Sequence, residues 1–185
     1  HSEQHTEQDA PWRGWLRFRC RDVHENERAG MGAGRGSTVT CDLILSIDAG
    51  TTGVTALVVD ASAQVVASGY REFEQHFPAG DRVEHDLGEV WSATIAATRE
   101  ALESIDRAAV VAVGVTNQRE TWCLWDRETM GSPRKAIVWQ DRRTAPLCDR
   151  LRSEGHEALI ADRTGLRLDP YFSGTKALWI AENEP

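Results

Sequence analysis

Three short apolar segments follow one another between residues 43 and 68, and the two connections between them are too short to contain a helix. Strands are predicted at residues 43–47, at residues 54–59 and around residues 64–68. Parallel neighbours need a crossover of a dozen or more residues, so these three strands are predicted to form an antiparallel meander. A helix between the first two strands would contradict this prediction.

Helices are predicted later in the chain from their start signals and apolar spacing. The first should begin after the N-cap Asp86, with Glu89 completing a pair that resembles a capping box. A second is predicted at residues 144–153, where Pro146 falls in the first turn and is tolerated, and a last one from near Thr175. The apolar positions of the first helix keep helical spacing: Leu87, Val90, Trp91, Ile95, Leu102 and Ile105.

A valine-rich run at residues 110–115 predicts a buried strand, and the polar hexapeptide TNQRET follows it at once. Two more strands are predicted at residues 121–125 and 136–139. Ligands of open α/β sheets bind beyond the carboxyl ends of the strands, so the hexapeptide is a candidate binding segment. Arg119 offers a planar fork of donors and Glu120 offers two acceptor oxygens, which suits a ligand with neighbouring hydroxyls. The alternative is a surface ion pair that caps a strand.

The turn between the first two strands has the pattern D-x-G-T-T, which suits nucleotide phosphates. Gly50 permits positive φ, so successive backbone N–H groups can point into one anion-binding concavity. Thr51 and Thr52 add hydroxyl donors, and Asp48 is a candidate ligand, through water, for a Mg²⁺ ion. The same residues also occur in hairpins for turn geometry alone, and this alternative stays open here. The chain contains no Walker A pattern.

Composition narrows the class of protein. A length of 185 residues suffices for one domain with a sizeable core, and the net charge of −8 with no basic stripe argues against nucleic-acid binding. The apolar runs are strand-sized, so no membrane span is predicted. No histidine spacing typical of a metal site occurs. The four cysteines form no C-x-x-C pair, and reduced thiols in the cytoplasm are the simplest account: Cys20, Cys41, Cys123 and Cys148.

Two parts are predicted along the chain. Residues 1–40 lack periodicity and include a Gly-rich stretch at residues 30–37, so they are predicted to be a disordered leader and linker. Residues 41–185 are predicted to hold the folded domain. The pattern ends abruptly within or just after the last predicted helix, and this ending is interpreted as a truncation.

Several segments together resemble the FGGY family of carbohydrate kinases, and within it the glycerol kinases. The D-x-G-T-T turn is similar to the first phosphate motif of the actin-like ATPase superfamily. The resemblance covers about residues 42–185 in family order. Its further motifs lie at residues 71–78, 83–86, 116–121, 137–144 and 169–176.

The resemblance implies an α/β fold of the actin-like ATPase (ribonuclease H-like) type, in which a mixed sheet with an antiparallel three-strand meander is flanked by helices. It implies the N-terminal part of an enzyme that uses ATP and Mg²⁺ to phosphorylate glycerol to sn-glycerol 3-phosphate. Family members are more than twice as long, and their second domain carries the catalytic aspartate and the adenine site. The full-length enzyme is expected to be a cytoplasmic homo-oligomer.

Site residues follow from the same resemblance. Thr51 would lie where the phosphoryl group passes, with Gly50, Thr52 and Gly53 beside the ATP phosphates and Mg²⁺ held through water by Asp48. The segment that contains Glu84, His76 and His85 is assigned to structure rather than to catalysis. Four residues would line the glycerol pocket: Arg119, Glu120, Trp139 and Tyr171.

Three positions depart from the family pattern. Family members commonly carry Gln at Ala49, Ser at Gly53 and Arg at Thr55. Thr55 lacks the cation, which weakens its assignment to the nucleotide site. Two alternatives remain, namely a kinase for another polyol or ketose of the FGGY group and a non-catalytic polyol- or nucleotide-binding module.

Overall fold

The computed structural model describes residues 42–184 of the chain. The predicted leader at residues 1–40 lies outside the described residues, and its disorder stays a prediction. The elements in chain order are β1 Leu43–Ala49, β2 Gly53–Val59, β3 Val65–Glu72, β4 Glu84–His85, α1 Leu87–Ala101, β5 Val110–Asn117, β6 Ala136–Ile137, α2 Ala145–Ser153, α3 Glu157–Thr164 and α4 Ser173–Asn183.

The main sheet has four strands in the order β3-β2-β1-β5. β2 pairs antiparallel with β1 and with β3, so the predicted meander is confirmed. β5 pairs parallel with β1, after a crossover that contains α1. The sheet is therefore mixed, with the carboxyl ends of β1 and β5 at the same edge.

Helix α1 packs on β2 and β3 and forms the core with them. Its N-cap is Asp86, as predicted, and the Asp86 carboxylate accepts hydrogen bonds from the backbone N–H groups of Gly88 and Glu89. The Glu89 carboxylate does not close the capping box, because it lies 3.0 Å from Nε2 of His76. Of the predicted apolar positions, Trp91 is 65% exposed, whereas Leu102 and Ile105 are partly buried against the core. The buried positions of α1 are the small residues Ala93, Ala97 and Ala101.

The small buried face lets α1 approach β3 closely at Gly69. A Cβ at this glycine would overlap the carbonyl oxygen of Ala97 and would lie 3.0 Å from the backbone nitrogen of Ala101. Both atoms belong to helix backbone, so neither can move without displacing α1.

Gly69→Ala is expected to lower the free energy of unfolding by about 1–3 kcal/mol, because the added methyl group overpacks the contact between α1 and β3. Gly114→Ala on β5 is the matched control, since a Cβ there meets no atom within 4 Å. Urea unfolding of the two variants measures the difference. Equal stabilities would show that α1 does not sit this close to β3.

β5 corrects the prediction of a buried strand. It forms an edge of the four-stranded sheet, and seven of its eight residues are exposed, with Val115 exposed by 72%. The reason is the position of α1, which covers β2 and β3 and barely reaches β1. A valine run favours a strand but does not fix what covers it.

Beside the main sheet, β4 and β6 form a two-stranded antiparallel sheet in which Glu84 pairs with Ile137. The strand predicted at residues 121–125 is wrong, because only a bridge between Trp122 and Ile137 forms there. The strand predicted at residues 136–139 is reduced to β6, and α3 was not predicted. Helix α2 agrees with its prediction, and α4 begins two residues before Thr175. Among residues 42–184, no helix combines the length and the apolar character that a bilayer crossing requires.

Candidate functional site at the carboxyl ends of β1 and β5

A cavity of about 270 Å³ lies beyond the carboxyl ends of β1 and β5. The two strand ends are joined there by the Gln118 backbone N–H, which donates to the carbonyl of Ala49 at 3.0 Å. We call it the strand-end cavity. Its lining residues are Thr51, Asn117, Gln118, Arg119, Trp139 and Tyr171.

Trp139 connects the two sides of the strand-end cavity. Its indole Nε1–H donates to the Oγ1 of Thr51 over 2.9 Å. On the other side its ring meets Tyr171 edge-on, with centroids 5.8 Å apart. Residues that the sequence assigned to phosphate binding and to polyol binding therefore line one cavity.

Glu120 lies against α4 rather than against Arg119. Its Oε2 accepts from the backbone N–H of Ser173 at 2.8 Å and from the Ser173 hydroxyl at 2.7 Å. The Ser173 hydroxyl bond is the main reason why the pKa of Glu120 lies below its usual value. Glu120 also has a positive φ of 64°, which is uncommon for a residue other than glycine. The surface Arg-Glu pair considered as an alternative is thus not formed.

The turn at residues 48–53 is closed by the Gly50 N–H, which donates to the Gly53 carbonyl at 3.0 Å. Gly50 does not have the positive φ that the sequence suggested. Glycine is favoured at this position for a steric reason, because a Cβ there would lie 3.1 Å from the Gly53 carbonyl oxygen. The turn keeps the backbone donors and the hydroxyls of Thr51 and Thr52 at the edge where β1 ends, and we call it the phosphate turn.

Gly53 is buried at the start of β2, against Tyr70. A Cβ at Gly53 would lie 2.6 Å from the Tyr70 hydroxyl and 2.7 Å from the carbonyl oxygen of Arg71. A side chain at position 53 would therefore clash with Tyr70 and with the backbone of β3. The structure leaves Gly53 a backbone role at most in phosphate binding.

Asp48 is exposed near the end of β1, directly opposite Thr55 on β2 and in register with Thr116 on β5. Opposite residues of paired strands project from the same face, so Thr55 borders Asp48 and offers it a hydroxyl rather than a cation. Mg²⁺ usually keeps several waters and takes one or two protein carboxylates together with substrate phosphates. A single exposed carboxylate beside the phosphate turn fits that requirement.

A closed ring of hydrogen bonds, two of which use the backbone carbonyl of Thr51 and the backbone N–H of Trp139, lies beside the strand-end cavity. The sequence did not predict this ring. At its centre is His85 on β4, which is only 1% exposed. Its Nε2 lies 2.7 Å from the Gln75 amide and its Nδ1 lies 2.9 Å from the Gln118 amide. The members of the ring are Thr51, Gln75, His85, Gln118, Thr121 and Trp139.

Burial lowers the pKa of His85 to about 4, with nearby His76 acting in the same direction and Glu89 opposing it. The unfolded chain takes up a proton at this residue near pH 6.5, whereas the folded chain stays neutral to about pH 4. The stability contributed by neutral His85 is therefore complete above pH 6.5 and falls as the pH decreases towards 4.

We expect the free energy of unfolding to fall by about 3 kcal/mol across this window through His85 alone. Urea unfolding at several pH values, compared between the wild-type chain and His85→Phe, isolates the contribution. The difference between the two proteins should shrink as the pH falls. A difference that is constant from pH 4 to pH 7 would contradict the lowered pKa.

Glu74, His76 and Glu89 form a group of potential metal ligands that the histidine spacing did not suggest. The two ring nitrogens of His76 face different carboxylates: Nε2 lies 3.0 Å from Glu89, and Nδ1 lies 4.0 Å from Glu74. A metal ion binds one ring nitrogen and needs its other ligands to converge on that side. The observed arrangement is one hydrogen bond between His76 and Glu89, with Glu74 on the other side of the ring beyond hydrogen-bonding distance.

Two aspartates near the site are already occupied. Asp141 is fully buried and accepts from the backbone N–H of Val83 and from the guanidinium of Arg143. Asp169 accepts from the backbone N–H of Tyr171 and from Arg142. Both carboxylates therefore have partners within the fold, and neither is among the residues that line the strand-end cavity.

Lys176 is fully buried and supports the segment that carries Tyr171. Its Nζ donates to the carbonyls of Pro170 at 2.9 Å and Tyr171 at 2.5 Å, with Phe172 at 3.5 Å. Burial lowers the pKa of Lys176. Since these carbonyls precede α4, the lysine fixes the Tyr171 side of the cavity, and the only sequence signal for it is a lysine within an apolar helix.

Comparisons with known proteins show the family of this chain. Residues 43–185 match the model of the FGGY family of carbohydrate kinases, N-terminal domain. The chain is 50% identical over 144 residues to a glycerol kinase of Alcanivorax borkumensis, which covers 77% of this chain and 29% of that protein. The chain thus spans less than a third of the length of such relatives.

Solved structures show the same fold. A Plasmodium falciparum glycerol kinase with ADP superposes with a TM-score of 0.72 at 31% identity, over 78% of this chain and 29% of that one. A xylulose kinase from Rhodospirillum rubrum gives a TM-score of 0.70 at 24% identity, over 77% of this chain and 30% of that one, and supports the fold alone. The predicted actin-like α/β fold is confirmed. The chain belongs to the FGGY family of carbohydrate kinases, and residues 43–185 correspond to its N-terminal domain.

Proposed function

We propose that this domain provides the acceptor-binding and phosphate-binding wall of an ATP-dependent glycerol kinase. One observation carries the proposal: the 2.9 Å hydrogen bond from Trp139 Nε1 to Thr51 Oγ1, which joins the predicted glycerol side to the phosphate turn. The glycerol kinase of Alcanivorax borkumensis, which is 50% identical to this chain over 144 residues, supports glycerol as the acceptor. A protein of the relatives' length that contains this domain is called the full-length protein below.

In this proposal the acceptor lies in the strand-end cavity. Arg119 donates to neighbouring hydroxyls of glycerol, and the Trp139 ring packs against its carbon chain. Glu120 accepts from a hydroxyl through Oε1, because Ser173 occupies Oε2. The Tyr171 hydroxyl supplies one further polar contact. Four side chains thereby fix which hydroxyl faces the phosphate turn.

The phosphate side uses donors of the turn. Thr51 accepts a hydrogen bond from Trp139, so the Thr51 hydroxyl proton is available to a phosphate oxygen. Thr52 and the backbone N–H groups from Gly50 to Gly53 add donors. Mg²⁺, held through water by Asp48, would neutralise phosphate charge when bound. In the same proposal, ATP and glycerol are substrates of the full-length protein, which is a cytoplasmic homo-oligomer.

The full-length protein is tested by following ADP formation with glycerol and with xylulose as acceptors. Glycerol should be phosphorylated with the higher kcat/KM. A preference for xylulose would support the ketose-kinase alternative. Binding of glycerol without turnover of either acceptor would support the non-catalytic module instead.

Arg119→Ala in the full-length protein is expected to weaken glycerol binding by about 1–3 kcal/mol, because the hydroxyls and Glu120 lose the guanidinium partner. ATP binding should change little. Calorimetric titration with each substrate measures both effects. Arg127→Ala is the control, since Arg127 is exposed and lies outside the strand-end cavity. Equal losses for glycerol and ATP would indicate damage to the fold and contradict the assigned role.

A further inference from the structure

We propose that His85 is a positioning residue. Its neutral imidazole connects the phosphate turn to the acceptor-binding residues through hydrogen bonds and contacts neither substrate. The inference deepens the proposed function and rests on it. It concerns a residue that the sequence assigned to structure alone.

The first half of the ring runs from the phosphate turn to His85. The side-chain Nε2 of Gln75 donates to the Thr51 carbonyl over 2.8 Å. A carbonyl only accepts, so the amide nitrogen of Gln75 must face Thr51 and its Oε1 must face His85. Oε1 lies 2.7 Å from Nε2 of His85, which therefore carries a proton.

The second half runs from His85 to Trp139. The Gln118 Nε2 faces the carbonyl of Gly50 at 3.4 Å and Nδ1 of His85 at 2.9 Å, so Nδ1 must accept. The Oε1 of Gln118 accepts from the Thr121 hydroxyl at 2.9 Å. That hydroxyl in turn accepts from the backbone N–H of Trp139 at 3.2 Å.

Both halves assign the same state to His85. Nε2 carries the hydrogen and Nδ1 is an acceptor, which describes one neutral tautomer. A second proton on Nδ1 would point at the amide nitrogen of Gln118 and break the ring. His85 is also held edge-on by Phe73, with ring centroids 4.9 Å apart, so it cannot rotate to find other partners.

The ring closes through the hydrogen bond from Trp139 to Thr51, so Thr51 is held at its carbonyl by Gln75 and at its hydroxyl by Trp139. Loss of the imidazole leaves the half-buried amide groups of Gln75 and Gln118 without one of their partners. Thr51 and Trp139 would then shift relative to each other. Small misplacements of reacting groups cost rate more than ground-state binding.

The kinetic test compares His85→Phe with wild type in the full-length protein. His85→Phe should lower kcat by about 10²-fold with a smaller change in the KM for glycerol. His76→Gln is the matched control, because His76 contacts Glu89 outside the ring, and it should keep the wild-type kcat. Equal effects of both variants, or an unchanged kcat in His85→Phe, would overturn the proposal.

A second measurement needs no activity. Long-range ¹H–¹⁵N spectra of the 185-residue chain report the His85 tautomer, and we expect the Nε2–H form at pH 7. In Gln118→Glu the carboxylate faces Nδ1, so the midpoint of His85 titration should move to higher pH. An Nδ1–H form in the wild-type chain would overturn the proposal. So would an unchanged midpoint of the His85 titration in a folded Gln118→Glu variant. If the full-length protein does not phosphorylate glycerol, the proposed function is wrong. The spectra still test whether the hydrogen-bond ring holds His85 in the Nε2–H form.

Discussion

The 185-residue chain on its own is expected to show no measurable phosphorylation of glycerol. Within residues 42–184, no carboxylate is among the residues that line the strand-end cavity, so the base is not found there. Asp141 and Asp169 hold the structure, and the lowered pKa of Glu120 makes it a weak proton acceptor. Arg119 is exposed, so this wall by itself does not exclude water from the acceptor.

The expected loss of rate has two causes, the missing general base and the missing alignment of the two substrates. Loss of general-base help costs about 10²–10⁴-fold in rate. Loss of alignment between the two substrates costs up to about 7–11 kcal/mol more. The check is a coupled assay of ADP formation with saturating glycerol and MgATP, with the full-length protein as the positive control. Turnover of about one per second, an ordinary enzyme rate, would show that the 185-residue chain contains a base.

Asp141→Ala is expected to lower the free energy of unfolding by about 3–5 kcal/mol. The Asp141 side chain is fully buried, and its oxygens accept from the Val83 N–H at 2.7 Å and from Nε and Nη2 of Arg143 at 2.9 and 2.8 Å. Removing the carboxylate leaves the buried guanidinium of Arg143 with Glu84 alone. A partly uncompensated buried charge is among the most costly defects in a folded protein.

Urea unfolding of the 185-residue chain measures this loss. Arg142→Ala is the neighbouring control, because the Arg142 side chain is 55% exposed and its pair with Asp169 spans 3.2 Å. Exposed pairs contribute about 0–1 kcal/mol. If both variants lost the same stability, the buried network would not have the energetic role assigned to it.

Local rules predicted the parts of the fold that depend on short stretches of chain. The connections after β1 and β2 are too short for a crossover, so antiparallel pairing was the only outcome. Asp86 was recognisable as an N-cap from its residue type and position. Its carboxylate accepts hydrogen bonds from the N–H groups of Gly88 and Glu89. The burial of β5 was predicted wrongly, because it depends on which strands α1 covers. The alanine face of α1 and Gly69 on β3 determine that position, and β5 does not.

The candidate site divides in the same way. Residues that follow strand ends directly, such as Thr51 and Arg119, were predictable because the ends of parallel strands share one edge. The ring around His85 was not, since its members come from segments up to 88 residues apart in sequence. The contact of Glu120 with Ser173 was missed for the same reason, because α4 is 53 residues further along the chain.

A structure of the full-length protein with glycerol and a non-hydrolysable ATP analogue tests the central claim most directly. We predict glycerol in the strand-end cavity, with hydroxyls within hydrogen-bonding distance of Arg119 and Glu120 and its carbon chain against Trp139. The terminal phosphate should contact Thr51. Glycerol bound elsewhere, with Arg119 in solvent and the Trp139 ring unoccupied, would contradict the account.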